Sequence, residues 1–329
     1  MMNYNEAYKA FESLFNHEMN DVQMREFLLS MKLDASASVE SIAAAASIMK
    51  DHALALPIDN DTREKAIDIV GTGGDKIGSF NISSTVALLV ASCGGIVAKH
   101  GSRSITSKSG SADMFEALGV KLDLDISQSA TLLQECGFTF MFAQNHHPAM
   151  KFIMPIRKSI PNKTVFNVLG PLTNPAGVKK TMLGVFDRVF VPKMLKVLQM
   201  NNASSAMVVS SAENMDEISI SDISYASRLS EGKISEFVID PQKHGIKKAP
   251  LKAIIGGDAK ENAQILLNIF QSRANDAQRD IVLINSAYSL VVEGMARDVQ
   301  EGLEMAREAI ESSKAEAKLK EIIEVSSKL

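Results

Sequence analysis

Apolar positions fall into two regimes along the chain. Residues 1–55 read as helix only. Asn20 followed by Gln23 has the form of a capping box, with Met19 and Met24 placed as its hydrophobic staple. The helix that follows carries Phe27 and Leu28, and IAAAASIMKDHAL is an Ala-rich third. The stretch LPIDNDTRE (56–64) combines a proline with turn formers and marks a domain boundary.

From Ala66 the pattern changes to short apolar runs alternating with helix-period segments. AIDIVG, GIVAKHG and FTFMFA read as strands, separated by the helices STVALLVASC, SADMFEALG and SATLLQECG. HPAMKFIMPIRKSI is the next helix, and TMLGVFD, SAMVVSSA and ISEFVID are later strands. Further helices are expected at 191–201, 260–271 and 276–295, and the Ala/Glu/Lys-rich final 30 residues are helical. Strand, loop and helix in repetition is the signature of βαβ units. The expected class is α/β, a small all-α N-terminal domain before a large domain whose central, mostly parallel sheet is flanked by helices. TVFNVLGPLTNPAG (164–177) follows neither period and reads as a crossing between domains that holds hinge residues.

Composition narrows the function. At about 150 residues per domain, 329 residues suggest two domains. Thirty-five Lys+Arg against 39 Asp+Glu give a net charge of −4, far from the basic balance of a duplex-DNA binder. Trp is absent and aromatics are 5 %, which leaves little material for base stacking. Cys93 and Cys136 lie in apolar stretches without metal-ligand spacing, so a reduced, cytoplasmic protein without structural zinc is expected. The charged N-terminus is no signal peptide, and runs such as VALLVASC are too short to span a membrane.

The chemistry sits at strand ends. GTGGD, from Gly71 through Thr72, Gly73 and Gly74 to Asp75, follows the first strand, where bare backbone N–H groups can approach phosphate oxygens. A tight βα turn would use the same residues. Asn81, Ser83 and Ser84 stand where the next helix begins, able to cap it or to face the same anion. KHGSRSITSKSGSAD brings Lys99, Arg103 and Lys108 together, with hydroxyls from Ser107, Ser109 and Ser111 and a free backbone at Gly110. Such a local positive cluster calls for a polyanion, the alternative being a solvated basic loop. His147 and Arg157 share one helix with Met150 and Met154, which read as core, and the Arg157 fork suits a carboxylate. A hydrogen-bonded structural role is the commoner use of such a histidine. Asp216 and Glu217 follow the SAMVVSSA strand and could bind Mg²⁺.

In order, DIVGTGGD, NIS, KHGSRS with SGSAD, HHPAMK with IR, TVFNVLGPLTNP and DEIS closely resemble the anthranilate phosphoribosyltransferases of tryptophan biosynthesis. The resemblance implies transfer of phosphoribose from phosphoribosyl pyrophosphate to the amine of anthranilate, with release of pyrophosphate and with two Mg²⁺ ions. It implies a small α-helical domain of residues 1–65, completed by roughly 164–182, and a large domain of 66–163 and 183–329. It also implies a homodimer through the small domains. By position, Gly71, Thr72, Gly73, Gly74, Asp75, Asn81, Ser83, Ser84, Lys99 and Ser111 would hold phosphoribosyl pyrophosphate. Ser83, Asp216 and Glu217 would hold metal. Gly71, Ser102, His147 and Arg157 would face anthranilate, with Gly170 and Pro171 near the hinge.

Two departures stand out. Ser102 replaces the Asn of the family's KHGNR, and Lys158 and Lys163 stand where second arginines are frequent. Pyrimidine nucleoside phosphorylases share a related KHG loop but resemble the chain less at GTGGD and DEIS. A nucleic-acid-binding relative without enzyme activity is the other alternative, and the acidic balance opposes it.

Overall fold

The computed structural model describes residues 2–34, 36–104 and 108–329. The N-terminal region holds α1 (Tyr4–Phe15), α2 (Asp21–Ser30), α3 (Val39–Asp51) and α4 (Asn60–Lys65). The Asn20–Gln23 capping box forms as expected, each side chain accepting from the other's backbone N–H at 3.0 Å. The boundary segment 56–64 differs from expectation because it is partly helical. Asp59 caps α4 by accepting the Thr62 N–H at 2.7 Å.

The rest alternates as read: β1 (Ile67–Gly71), α5 (Ile82–Ser92), β2 (Val97–Gly101), α6 (Ser111–Ala117), α7 (Ile126–Cys136) and β3 (Phe138–Phe142). Then come α8 (Ala143–His146), α9 (Met150–Lys158), α10 (Phe166–Leu169), β4 (Lys180–Gly184), α11 (Val191–Met200) and β5 (Ser205–Ser211). A hairpin of β6 (Ser224–Ser230) and β7 (Lys233–Ile239) precedes α12 (Ala259–Phe270), α13 (Asp276–Glu293), α14 (Val299–Glu311) and α15 (Lys314–Lys328). Strand β6, SYASRLS, escapes the sequence reading because it is polar. Its signal is the turn Glu231–Gly232, where both residues have positive φ, the conformation of tight hairpin turns.

The seven strands lie in the order β3-β2-β1-β4-β5-β6-β7, parallel through β5 and antiparallel beyond. Each parallel strand is largely buried on both faces because helices cover both. Ile67, Ile69, Met182, Met207 and Val209 face a core with α5 and α12–α15. Their neighbours Val70, Leu183, Ala206 and Val208 face a second core, shared with α1–α3 and α9–α11. The N-terminal helices therefore dock on one sheet face through α11.

Two features position the site. Strand order reverses between β1 and β4, opening a crevice at their carboxyl ends, where α/β sheets bind ligands. Residues 163–165 also pair with residues 31–33: Leu33 N–H donates to the Lys163 carbonyl and Val165 N–H to that of Met31, both at 3.0 Å.

Candidate active site

Gly71 and Gly184 end β1 and β4 side by side, and the Thr72 N–H donates to the Gly184 carbonyl at 3.0 Å. Beyond them Gly73 and Gly74 have φ of +65° and +77°, which only glycine adopts without strain. The loop after β5 crosses above these ends and delivers Asp216 and Glu217. Asp216 Oδ2 accepts the Gly73 N–H at 2.6 Å, and Glu217 Oε1 accepts the Ser83 N–H at 3.0 Å. The two carboxylates thus occupy backbone donors of the Gly-rich loop and of the α5 N-terminus, both groups that suit an anion.

This corrects the capping expectation. Asn81 is the N-cap of α5 but its side chain makes no cap bond. Its amide instead accepts from Asn262 Nδ2 at 2.8 Å and from the Ser109 hydroxyl at 3.3 Å. Glu217 does the work of a cap from another element. Ser84 is buried one turn into α5.

Electrostatics here are unbalanced. Burial first, then Asp75, pushes the Asp216 carboxyl up from the ordinary range, and burial and Asp216 do the same to Glu217. Lys99, 2 % exposed, lies between this acidic pair and β1, its ammonium donating to the Ile69 carbonyl at 2.5 Å and standing 3.5 Å from the Ser83 hydroxyl. Burial lowers its pKa against the opposing fields of Asp68, Glu217 and Asp216. Asp68, wholly buried and pushed up to about 6 by that burial, accepts from Asn174 Nδ2 at 2.7 Å and from the His100 N–H at 3.2 Å.

Among the described residues no three His, Cys, Asp or Glu side chains form an all-protein metal cage. Asp216, Glu217 and the Ser83 hydroxyl nonetheless fit Mg²⁺, which takes one or two carboxylates and completes its shell with water and substrate phosphate. The repulsion between these two half-buried acids is what a divalent cation would offset.

The second loop departs from its expected use. Lys99, Arg103 and Lys108 form no common cationic patch. Lys99 is buried, Lys108 is exposed, and Arg103 is spent on α6, pairing with Asp113 at 3.0 Å and Glu116 at 2.5 Å. Asp113 also accepts the Ser104 and Gly110 N–H groups, so this acid shapes the loop. The Ser111 hydroxyl donates to the Ser102 carbonyl at 3.3 Å, and Ser102 is exposed. Ser107 lies outside the described residues.

Of the residues expected to face anthranilate, His147 is buried and neither ring nitrogen has a hydrogen-bond partner among the described residues. Burial lowers its pKa to about 4, and that of His100, whose ring is 5.1 Å away, to about 3. His100 Nδ1 bonds the Gly170 carbonyl at 3.0 Å, tying β2 to the residue that follows α10. Arg157 is half-buried with no carboxylate partner among the described residues, and its one contact is Met154 Sδ at 3.8 Å. Met150 and Met154 are half-buried rather than core, the buried position of α9 being Ile153.

The fold thus links Gly73, Asp75 and Asp216 with Glu217, Ser83 and Lys99 through direct contacts. No contact among the described residues joins Arg157 to that group. The sequence reading passed over Asp68, His100, Asn174 and Asn262. A charged residue inside the apolar strand AIDIVG was the available signal for Asp68; Asn262 belongs to α12 and gave none.

A phosphate-suited loop and a paired acidic motif meet at the switch point of the parallel part of the sheet. Residues 63–316 match the glycosyl transferase family α/β domain. The chain belongs to the anthranilate phosphoribosyltransferases. It is 41 % identical over 324 residues to the enzyme of that name from Xanthobacter autotrophicus, covering 98 % of this chain and 92 % of the relative. Identity to that of Rhodopseudomonas palustris strain TIE-1 is also 41 %, over 98 % and 93 %. The crystal structure of the Thermus thermophilus enzyme superposes with a TM-score of 0.92 at 33 % identity, covering 99 % of this chain and 96 % of that one. The Saccharomyces cerevisiae enzyme in complex with phosphoribosyl pyrophosphate and Mg gives 0.87 at 28 %, covering 99 % and 93 %.

Proposed function

We propose that this chain transfers the 5-phosphoribosyl group of phosphoribosyl pyrophosphate to the amine of anthranilate, a step of tryptophan biosynthesis. The bond from the ribosyl C1 to pyrophosphate breaks, the C1–N bond forms, and the amine loses a proton. The observation that carries the reading is the pairing of Asp216 with the Gly73 N–H across β1 and β4, which joins the acidic motif to the phosphate loop at the sheet's switch point.

Gly71, Thr72, Gly73, Gly74 and Asp75 cradle the pyrophosphate, with Asn81, Ser83, Ser84, Lys99 and Ser111 around the rest of the donor. Negative charge grows on pyrophosphate as its bond breaks, so N–H donors and the buried Lys99 ammonium act more strongly in the transition state. Asp216, Glu217 and Ser83 would hold Mg²⁺, one of two ions, which would supply further charge stabilisation at that leaving group. C1 becomes cationic, so the aniline nitrogen needs no strong base. It needs to be held in line, which is worth several kcal/mol, of order 7–11 in the best intramolecular cases. Gly71, Ser102, His147 and Arg157 do this, Arg157 through the carboxylate. The neutral imidazoles of His100 and His147 add no charge to the pocket.

Residues 1–65 with 164–182 form a small domain that closes on residues 66–163 and 183–329. Two chains associate through it, a reading supported by the exposed Val22 on α2. Among the described residues no helix is long and apolar enough to cross a membrane. Both cysteines are free, which suits a cytoplasmic location. Loss of anthranilate fluorescence with phosphoribosyl pyrophosphate, dependent on Mg²⁺, tests the activity; no loss under any metal condition overturns it.

A further inference from the structure

Lys163 joins two parts of the molecule. Its carbonyl accepts the Leu33 N–H, so its main chain belongs to the β-bridge between the crossing and the N-terminal helical region. Its side chain reaches the other way, into the Gly-rich loop. The ammonium stands 3.4 Å from the Gly74 carbonyl and 3.2 Å from the centre of the Phe186 ring. A Cβ built on Gly74 would meet one group only, Lys163 Nζ at 3.6 Å.

These partners are weak for an ammonium. A carbonyl at 3.4 Å is at the outer limit of a hydrogen bond, and a ring face attracts a cation without satisfying its N–H groups. No carboxylate pairs with Lys163 at ion-pair distance among the described residues. The group is therefore a cation held next to a loop built for an anion, with donors to spare.

We propose that Lys163 is a further pyrophosphate-binding residue, whose ammonium moves from the Phe186 ring onto the pyrophosphate held over Gly73 and Gly74. Because its main chain is bridged to residues 31–33, this contact couples occupation of the loop to the position of the N-terminal helices. The inference rests on the proposed donor substrate and adds a ligand that comes from the opposite side of the crevice. Thr72, whose hydroxyl accepts the Phe186 N–H at 3.2 Å, fixes the strand end that carries the ring, so the resting place of the ammonium is itself part of the loop.

The test is calorimetric titration of the full chain with inorganic pyrophosphate and Mg²⁺, alongside steady-state kinetics. Lys163→Met is expected to weaken pyrophosphate binding by about tenfold, the scale of one hydrogen bond to a charged group, and to raise the KM for phosphoribosyl pyrophosphate in parallel. The anthranilate KM stays unchanged. Lys163→Arg recovers most of the binding, which a merely structural loss would not. Phe186→Leu, which removes the competing ring, tightens pyrophosphate binding. Unchanged pyrophosphate binding in Lys163→Met overturns the proposal, as does a shift confined to the anthranilate KM or a failure of arginine to rescue. Wild-type protein that binds pyrophosphate but consumes no anthranilate would instead refute the proposed reaction, and the calorimetric comparison would still decide the role of Lys163.

Discussion

Gly184 lies so close under Asp216 that a Cβ added to it would stand 1.6 Å from the Asp216 carbonyl oxygen. The loop that carries the acidic pair can cross the sheet only because β4 ends in glycine. Gly71 makes a different contact, since its added Cβ would meet the Asp216 carboxylate at 2.4 Å, the movable end of a side chain. Gly184→Ala should therefore displace backbone, costing about 1–3 kcal/mol of stability together with most of the activity. Gly71→Ala should keep its melting temperature nearer to wild type while losing activity. Thermal unfolding and kcat/KM of the two variants check the distinction, and equal destabilisation would contradict it.

Replacing Asp216 and Glu217 together by Ala removes two half-buried acids that repel each other. The ligand-free double variant loses that repulsion and also the bonds to the Gly73 and Ser83 N–H groups, so it should unfold close to wild type, while turnover should fall steeply at low Mg²⁺. A magnesium dependence identical to wild type would remove the metal assignment.

Arg157 has no carboxylate partner of its own among the described residues, so its guanidinium is available to a substrate. Arg157→Ala should raise the anthranilate KM with little change for phosphoribosyl pyrophosphate. Lys at this position should rescue only in part, because an ammonium lacks the planar fork. Wild-type enzyme that used aniline as well as anthranilate would rule out this role.

Ser102 spends its hydroxyl on the adjacent Arg103 carbonyl at 3.1 Å. Ser102→Asn offers a longer amide and should lower the acceptor KM, by up to about tenfold for one regained hydrogen bond of roughly 1 kcal/mol. A raised KM would mean that the pocket is shaped around serine and that the acceptor is bulkier than anthranilate.

His147 gives the protein an acid sensitivity of known sign. Its folded-state pKa, about 4, is below the ordinary 6.5, so on acidification the unfolded chain takes up the proton first. The stabilisation is complete above about pH 6.5 and is lost as pH falls towards about 4. His147→Gln should show a smaller drop in melting temperature between about pH 7 and about pH 4.5 than wild type. An equal drop would place the sensitivity elsewhere.

The sequence alone determined most of the strand and helix order, because apolar period and capping residues such as Asn20 and Gln23 act within a few residues of one another. It also determined the loop GTGGD and the acidic pair, since φ above zero and adjacent carboxylates are local properties. Strand β6 was not legible, because its polar residues become a strand only by pairing between β5 and β7. Tertiary structure alone decided which donors the acids would take. Glu217 caps α5 from 134 residues away in sequence, a place the local reading gave to Asn81. It likewise spent Arg103 on α6, buried Asp68 near Lys99 and brought Lys163, from the segment between α9 and α10, onto Gly74. Each of these is a contact between distant segments whose geometry is set by how helices cover the two sheet faces. Local pattern carries no record of that distance.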